Sequence, residues 1–146
     1  MERKHFTASA FVVFEDKVLL HRHKKFDLIL QPGGHLEENE SPSEAVLREV
    51  KEETGLDVEL FSSKKLNEFD CSVELNCGEH MNMHLAGDHY HMDFVFYARA
   101  LGTEVVSQDG NNSWRWYSKD EIDINSKIPN NVKFYAKDAI EKLNKS

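Results

Sequence analysis

Residues Gly34 to Leu56 read GHLEENESPSEAVLREVKEETGL, and this stretch says more about fold and function than any other part of the chain. Its second half predicts a short helix, because Ser41 and Glu44 form a capping box and Pro42 stands at the first helical position. Gly55 can take the left-handed backbone conformation that ends a helix. The stretch therefore predicts a capped helix that begins at Pro42 and stops before Gly55.

The predicted helix has an apolar face with a strip of carboxylates beside it. At 100° per residue, the apolar face consists of Val46, Leu47 and Val50. The strip consists of Glu49, Glu52 and Glu53, at positions i, i+3 and i+4. Like charges at this spacing destabilise an isolated helix by about 0.2–0.5 kcal/mol per pair. Two readings follow: a site for a hard divalent cation, which prefers oxygen ligands, or a solvated acidic helix face.

The complete spacing of the stretch favours the cation site. Gly34, Glu40, Arg48-Glu49-Val50, Glu52-Glu53 and Gly55-Leu56 stand at the intervals of the Nudix box, so the chain resembles the Nudix hydrolase family. The resemblance implies a metal-dependent pyrophosphohydrolase that uses Mg²⁺ or Mn²⁺. Its substrate would carry a diphosphate linkage, in a nucleoside diphosphate derivative or a nucleoside triphosphate.

The resemblance also implies a role for each matched residue. The implied metal ligands are the side chains of Glu49, Glu52 and Glu53 and the carbonyl group of Gly34. Arg48 would anchor the glutamates by charge-assisted hydrogen bonds, and Glu40 would support them from behind. The residue that acts as general base varies within the family. Here it is not assigned, and it could lie outside the box. The candidates for catalysis are Glu40, Arg48, Glu49, Glu52 and Glu53.

Departures from common family patterns leave the substrate open. Ile29 stands where many members carry tryptophan, and Cys71 stands where members acting on ADP-ribose often carry proline. The tyrosine of diadenosine polyphosphate hydrolases and the longer motif of NADH-type members are absent too. A second interpretation is a nucleotide-sensing Nudix domain without hydrolysis. Such domains usually have a degraded box, whereas the box here is intact.

Composition bounds these interpretations. The chain has 146 residues, a length that predicts one domain over residues 1–146. Its net charge of −8 disfavours nucleic acid and anionic membranes as partners. No stretch resembles a signal peptide or approaches the length of a membrane span. We therefore expect a soluble, cytoplasmic protein whose partner is a small nucleotide or another diphosphate. The sequence is compatible with a monomer and with a homodimer.

Hydrophobic patterning predicts an α/β fold with a mixed β-sheet between helices, and the resemblance implies the Nudix α/β/α sandwich. A turn is predicted at Pro32-Gly33-Gly34. The predicted strands cover residues 6–14, 17–23, 28–31, 57–67, 90–100 and 114–117. Besides the helix of the box, the predicted helices cover residues 118–123 and 129–143.

The segment from Asp70 to Asp93 is rich in histidine and cysteine. Cys77, His80 and His84 have zinc-like spacing, but Cys71 is too far from Cys77 to complete the usual pattern. The alternative is a mobile polar loop in which both histidines are solvated.

His89, His91 and Asp93 differ from that loop, since they alternate on one face of a predicted strand. This polar row predicts a face open to a cleft. His89 and His91 are therefore candidates for substrate binding, and solvent exposure is the alternative.

Two further groups of residues have two readings each. The basic run from His21 to Lys25 makes Arg22 a candidate for contacting substrate phosphates, and a solvated strand end is the alternative. Trp114 and Trp116 would lie on one strand face, where core packing is favoured over stacking on a base.

Overall fold

The structure, a computed structural model, describes residues 2–107 and 110–145. Within these residues the strands are β1 Lys4–Phe14, β2 Lys17–His23, β3 Leu28–Leu30, β4 Gly33–His35, β5 Val58–Leu60, β6 His80–Ala86, β7 His89–Ala100 and β8 Arg115–Ser118. The helices are α1 Pro42–Thr54, α2 Lys119–Ile124 and α3 Asn130–Lys145. In this part of the chain, no helix is both long and apolar enough to span a membrane.

The strands form one mixed sheet around a parallel central pair. The order is β3-β2-β1-β7-β5, while β4 pairs with β1, β6 with β7 and β8 with β2. Strands β1 and β7 run parallel from Lys4 opposite Tyr90 to Val13 opposite Arg99, and the other pairs are antiparallel. This pairing brings the first strand of the chain next to the histidine row of β7.

Alternation along β1 divides the core into two layers. Ala8, Ala10 and Val12 face one side of the sheet and belong to the apolar cluster that includes Val46 and Val50 of α1. The opposite cluster joins Phe11 and Val13 of β1 to residues of α2 and α3, namely Ile122, Val132, Ala136, Ala139, Ile140 and Leu143. The α/β/α sandwich is thus confirmed.

Helix α1 has the predicted ends. The Ser41 hydroxyl accepts a hydrogen bond from the Glu44 amide at 3.2 Å, and the Ser41 amide donates to Glu44 Oε1 at 3.0 Å. Gly55 has φ 75° and closes the helix by donating from its amide to the Lys51 carbonyl. The predicted apolar face was wrong at Leu47, whose side chain is 40% exposed.

Two predictions about local structure around the box were wrong. The strand predicted over residues 57–67 is confined to Val58–Leu60, and residues 63–67 are exposed and unpaired with the sheet. The predicted glycine turn is instead the strand Gly33–His35, which pairs with Thr7 to Ser9 of β1. A β-carbon at Gly33 would lie 2.5 Å from the Ala8 carbonyl oxygen, so this close approach requires glycine.

The mobile loop predicted for His80 and His84 is also wrong, because both residues lie on β6, antiparallel to β7. Apolar and polar residues do alternate along β6, but the apolar residues are on the exposed face. Met81, Met83 and Leu85 point outward and are more than half exposed. Gly87, with φ 70°, makes the turn into β7. A two-residue Gly-Asp loop between alternating segments is a hairpin signal that could have revealed this strand.

The C-terminal elements lie close to their predicted positions. Strand β8 begins at Arg115 and follows the predicted segment closely. Ser118 caps α2 through a capping box with Glu121. Helix α3 starts directly after Pro129, and its last turn carries Lys142 and Lys145. These helices build the wall of the sandwich opposite α1.

Candidate functional site

Arg48 organises the carboxylates of the box. Its guanidinium holds Glu40 through two hydrogen bonds, from Nε to Oε2 at 2.6 Å and from Nη2 to Oε1 at 3.0 Å. It also donates to Glu49 Oε1 at 2.9 Å, to Glu52 Oε2 at 3.3 Å and to the His35 carbonyl at 3.2 Å. One rigid cation therefore fixes three carboxylates and the end of β4.

The contact between Arg48 and Glu40 favours the ionised forms of both side chains. The hydrogen bond to Glu40 raises the pKa of Arg48, even though burial acts in the opposite direction. The same contact, with a further hydrogen bond from the Glu37 amide, lowers the pKa of Glu40 below its ordinary value. Glu40 thus contacts the box through Arg48.

Gly34 lies against Glu49 and has no room for a side chain. A β-carbon at Gly34 would lie 2.5 Å from Glu49 Oε1 and 2.6 Å from its carboxyl carbon. The neighbouring Gly33 amide donates to Glu53 Oε1 at 2.9 Å. Strand β4 and helix α1 therefore meet through backbone atoms, carboxylates and the Arg48 guanidinium.

The burial of the three glutamates differs along the helix. The Glu49 side chain is 17% exposed and the Glu52 side chain is 54% exposed. Glu53 is partly buried beside β4. The strip of carboxylates therefore extends from the exposed Glu52 to Glu53, which contacts Gly33, the first residue of β4.

The donor set of this strip fits a hard divalent cation. All of the candidate ligands, from Gly34, Glu49, Glu52 and Glu53, offer oxygen, which is what Mg²⁺ and Mn²⁺ prefer. The close approach of Gly34 to Glu49 supplies an independent observation, because any side chain there would displace the carboxylate. Arg48 balances only part of the negative charge, so a cation would complete the electrostatics.

A cleft of about 360 Å³ opens on the other side of β4, on the sheet face that carries α3. Its size is within the range of small-molecule sites. Its walls are formed by His23, Phe26, Leu28 and Leu30, by His84, Leu85 and Ala86 of β6, and by Pro129, Asn131 and Val132 around the start of α3. The polar floor consists of Thr7, Ser9, Gln31, His91 and Asp93, and Gly33 and Gly34 line its end toward the box.

Asp93 is the buried polar centre of the cleft floor. It accepts hydrogen bonds from the Thr7 hydroxyl at 2.8 Å and the Ser9 hydroxyl at 2.6 Å. Burial raises the pKa of Asp93, although these two hydrogen bonds act in the opposite direction. The Gln31 amide nitrogen donates to Ser9 at 3.1 Å, while Gln31 Oε1 is buried without a hydrogen-bond partner among the described residues.

The polar row of β7 lies where the sequence predicted an open face. His91 and Asp93 line the cleft, and His89 Nε2 lies 3.1 Å from His91 Nε2 at its edge. Burial, together with the neighbouring histidines, lowers the pKa of His91 to about 4. The structure thus places His91 in the cleft and His89 beside it, and their contact with substrate stays a prediction.

Sequence reasoning missed the residues that β1 and β4 bring to this row. Thr7 and Ser9 interrupt an apolar strand at alternate positions, which was a readable signal of a polar patch. His5 and His35 gave no such signal, because their proximity to β7 depends on strand pairing.

The remaining candidate residues lie outside the cleft floor. The Arg22 guanidinium pairs with Asp27, and Arg22 lines a separate groove with residues 110–113. Trp114 stacks on His21 with ring centroids 4.1 Å apart. Trp116 donates from its indole nitrogen to the Thr103 carbonyl, and both tryptophans pack against the core on the α1 side.

The zinc-like spacing of Cys77, His80 and His84 does not correspond to a cluster. Cys77 is exposed with a free thiol. His80 Nε2 lies 3.5 Å from Asp138, whereas His84 lies beside His91 with ring centroids 5.2 Å apart. In residues 2–107 and 110–145, the histidines whose ring nitrogens lie close enough to share a metal ion are a different set, described below.

Comparison with known proteins agrees with this architecture. The chain superposes on a hydrolase of the NUDIX family from Clostridium perfringens with a TM-score of 0.84 and 37% identity, covering 98% of this chain and 99% of that structure. A NUDIX hydrolase from Nitrosomonas europaea shares the fold at 22% identity and a TM-score of 0.69, with coverage of 96% and 90%.

Two curated proteins match parts of the sequence. A probable DHNTP pyrophosphohydrolase of Lactococcus lactis is 36% identical over 92 residues, which are 62% of this chain and 51% of that protein. An 8-oxo-dGTP diphosphatase of Proteus vulgaris is 63% identical over 27 residues, which are 18% of this chain and 24% of that protein. The matches thus span about half of the first relative's length and a quarter of the second's.

The family model of the NUDIX domain matches residues 3–138, from the first strand to the last helix. The model spans the capped helix, its carboxylates and the cleft. The chain belongs to the Nudix family.

Proposed function

We propose that this protein is a metal-dependent pyrophosphohydrolase that cleaves a diphosphate linkage in a nucleoside triphosphate or a nucleoside diphosphate derivative. The observation that carries the proposal is the Arg48 network, which fixes Glu40, Glu49 and Glu52 in one arrangement. A sensor without hydrolysis would need no such set of oriented carboxylates. The Lactococcus and Proteus relatives, whose names describe diphosphate-cleaving enzymes, support the same class.

Mg²⁺ or Mn²⁺ would be held by Glu49, Glu52 and Glu53, with the Gly34 carbonyl as a further oxygen ligand. A cation bound there supplies charge neutralisation for the phosphate oxygens and for the leaving group. Arg48, itself held by Glu40, would keep the carboxylates in place, so that little reorganisation is needed during the reaction.

The cleft would hold the organic part of the substrate beside the carboxylates. Its apolar wall of Phe26, Leu28 and Leu30 suits a ring system, and the floor supplies polar groups that fix its orientation. Gln31 Oε1 offers an unused acceptor to a donor on that ring. Gly33 and Gly34 lie between this cleft and α1, which would place the phosphates toward the box.

Histidines at the edge of the cleft would contact the phosphates. His91 lines the cleft and stays neutral at physiological pH, since burial lowers its pKa to about 4. A neutral imidazole N–H can donate a hydrogen bond to a phosphate oxygen. His89 would assist from its position 3.1 Å away. Arg22 would contact a substrate only if that substrate extended into the separate groove that Arg22 lines.

The test is a screen of nucleotides for phosphate release. Purified protein is incubated with Mg²⁺ and a panel that includes 8-oxo-dGTP, DHNTP, the common nucleoside triphosphates and nucleoside diphosphate derivatives. Products are separated by chromatography to identify the bond that is cleaved. Turnover of at least one member, absent in the Glu53→Gln variant, is expected. Tight binding of a nucleotide without turnover would instead identify a sensor.

A further inference from the structure

Five of the eight histidines of the chain gather at one end of the sheet. They come from four strands: His5 from β1, His35 from β4, His84 from β6, and His89 and His91 from β7. Neighbouring ring centroids lie between 4.6 and 5.3 Å apart. We call these residues the histidine cluster.

Within the cluster, the geometry of three residues is that of ligands around one ion. His5, His35 and His89 each present one ring nitrogen, and these nitrogens all lie within 4.8 Å of one another. His5 Nδ1 and His35 Nε2 are 3.3 Å apart. Two imidazole ligands at about 2.0–2.1 Å from a tetrahedral zinc ion would be separated by about 3.3 Å. The third nitrogen, from His89, lies within 4.8 Å of the other two.

His89 has the supporting contact that metal-binding histidines usually have. Its Nδ1 lies 3.0 Å from Asp88 Oδ1, and Asp88 Oδ2 accepts from Arg3 at 2.7 Å. This carboxylate favours the tautomer in which Nδ1 carries the hydrogen, so that Nε2 presents its lone pair to the cluster. A carboxylate behind a histidine orients the ring and increases its basicity toward a metal.

The ligand atoms of the cluster differ in kind from those of the box. Imidazole nitrogen suits borderline transition metals, whereas Mg²⁺ prefers the oxygen ligands of the box.

We propose that His5, His35 and His89 form a second metal site, selective for Zn²⁺ and similar transition-metal ions over Mg²⁺ and separate from the carboxylates of α1. This site goes beyond the proposed hydrolysis and does not depend on it. His35 follows Gly34 directly, and its carbonyl accepts from Arg48. The two sites are therefore neighbours along β4 with different ligand chemistry.

The test is Zn²⁺ binding to the untagged full-length chain in the presence of excess Mg²⁺, which keeps hard-cation sites occupied. Calorimetry and equilibrium dialysis give stoichiometry and affinity, and Co²⁺ absorption reports nitrogen ligation. We expect one equivalent of Zn²⁺ per chain, and at least ~30-fold weaker binding for each of His5→Ala, His35→Ala and His89→Ala. His80→Ala is the matched control, because His80 lies on the same sheet outside the cluster, and its affinity should equal that of wild type.

Two further variants separate this proposal from the proposed function. Glu53→Gln should keep its Zn²⁺ affinity whether or not the protein hydrolyses nucleotides. Asp88→Asn should weaken binding by about 10-fold without removing a ligand. Absence of Zn²⁺ binding under excess Mg²⁺ would overturn the proposal. Wild-type Zn²⁺ affinity in the three histidine variants, each confirmed as folded by its melting curve, would overturn it too, as would loss of the site in Glu53→Gln.

Discussion

The box and the histidine cluster are built in opposite ways, although both lie at β4. The box is local: Glu40 to Glu53 lie within one loop and one helix, and Arg48 joins them over at most eight positions of sequence. The cluster is assembled from four strands, and His5 and His89 are more than eighty residues apart in sequence. The box can therefore be read from spacing, whereas the cluster depends on the parallel pairing of β1 with β7.

This difference has consequences for function and stability. The carboxylates of the box repel each other and are held by one arginine, so changes there should act on catalysis more than on folding. The residues of the cleft floor are embedded in the sheet, where Asp93 is 4% exposed. Substitutions on the cleft floor should therefore affect both catalysis and folding. Four substitutions test this comparison, beginning with the largest expected effect.

Glu53→Gln removes a charge from the box and keeps the size of the side chain. We expect a loss of at least ~100-fold in turnover, because preorganised electrostatics are disturbed, with little change in melting temperature. Steady-state kinetics and thermal melts measure both. Glu59→Gln on β5, exposed and outside the Arg48 network, is the matched control and should behave as wild type. A collapse in stability with normal activity per folded molecule would make the carboxylate structural.

Gly34→Ala introduces a β-carbon 2.5 Å from Glu49 Oε1. The Glu49 carboxylate can move away because it is the end of a flexible side chain, so the fold should tolerate the change. We expect a loss of about 10–100-fold in turnover, the scale of disturbing ligand orientation, and a higher requirement for Mg²⁺. Gly102→Ala is the control, since its β-carbon would meet no atom within 4 Å. Unchanged kinetics in both variants would exclude a role for this close approach.

His91→Ala tests whether the histidine face takes part in the reaction. If His91 donates to a phosphate oxygen, kcat/KM should fall. The lost transition-state stabilisation should be ~1.5–3 kcal/mol, the scale of a hydrogen bond to a charged group. His80→Ala should change kcat/KM little, because His80 lies beside Asp138 and outside the cleft lining. Equal, negligible effects of the two substitutions would remove the histidine face from the reaction.

Asp93→Asn has the smallest expected effect, on the pH dependence of stability. Because burial raises the folded pKa of Asp93, the native state keeps a proton that the unfolded chain has already lost. Its stabilising contribution is therefore full below the unfolded pKa of about 3.9 and declines as pH rises through the folded pKa. Relative to Asp93→Asn, the wild type should lose free energy of unfolding as pH rises from about 3.9 through the folded pKa of Asp93. The slope should be at most ~1.4 kcal/mol per pH unit. Urea unfolding from pH 4 to pH 7 measures this difference, and a constant difference would contradict it.

The same contrast explains what the sequence could predict. The capping box of Ser41 and Glu44, the stop at Gly55 and the alternation on β7 depend on neighbouring residues, so propensity and periodicity were sufficient. Strand β6 escaped prediction because its outward face is apolar and its inward face polar, the reverse of the usual burial pattern.

The site shows the same division. The glutamates and Arg48 follow from their spacing, whereas the contact of Thr7 and Ser9 with Asp93 joins positions more than eighty residues apart. Gly33–His35 pairs as a strand because Gly33 allows it to approach β1 closely, whereas the Pro-Gly-Gly sequence indicates a turn. Long-range pairing of this kind is not encoded in local patterns.

The measurement that tests the central claim most directly is hydrolysis by wild-type protein before and after metal removal. The protein is dialysed exhaustively against a chelator and assayed on the best substrate of the screen, then assayed again after Mg²⁺ or Mn²⁺ is added. If the carboxylates of α1 hold the catalytic cation, activity should vanish in the metal-free protein and return on addition. Undiminished hydrolysis by protein shown by elemental analysis to be metal-free would contradict the account.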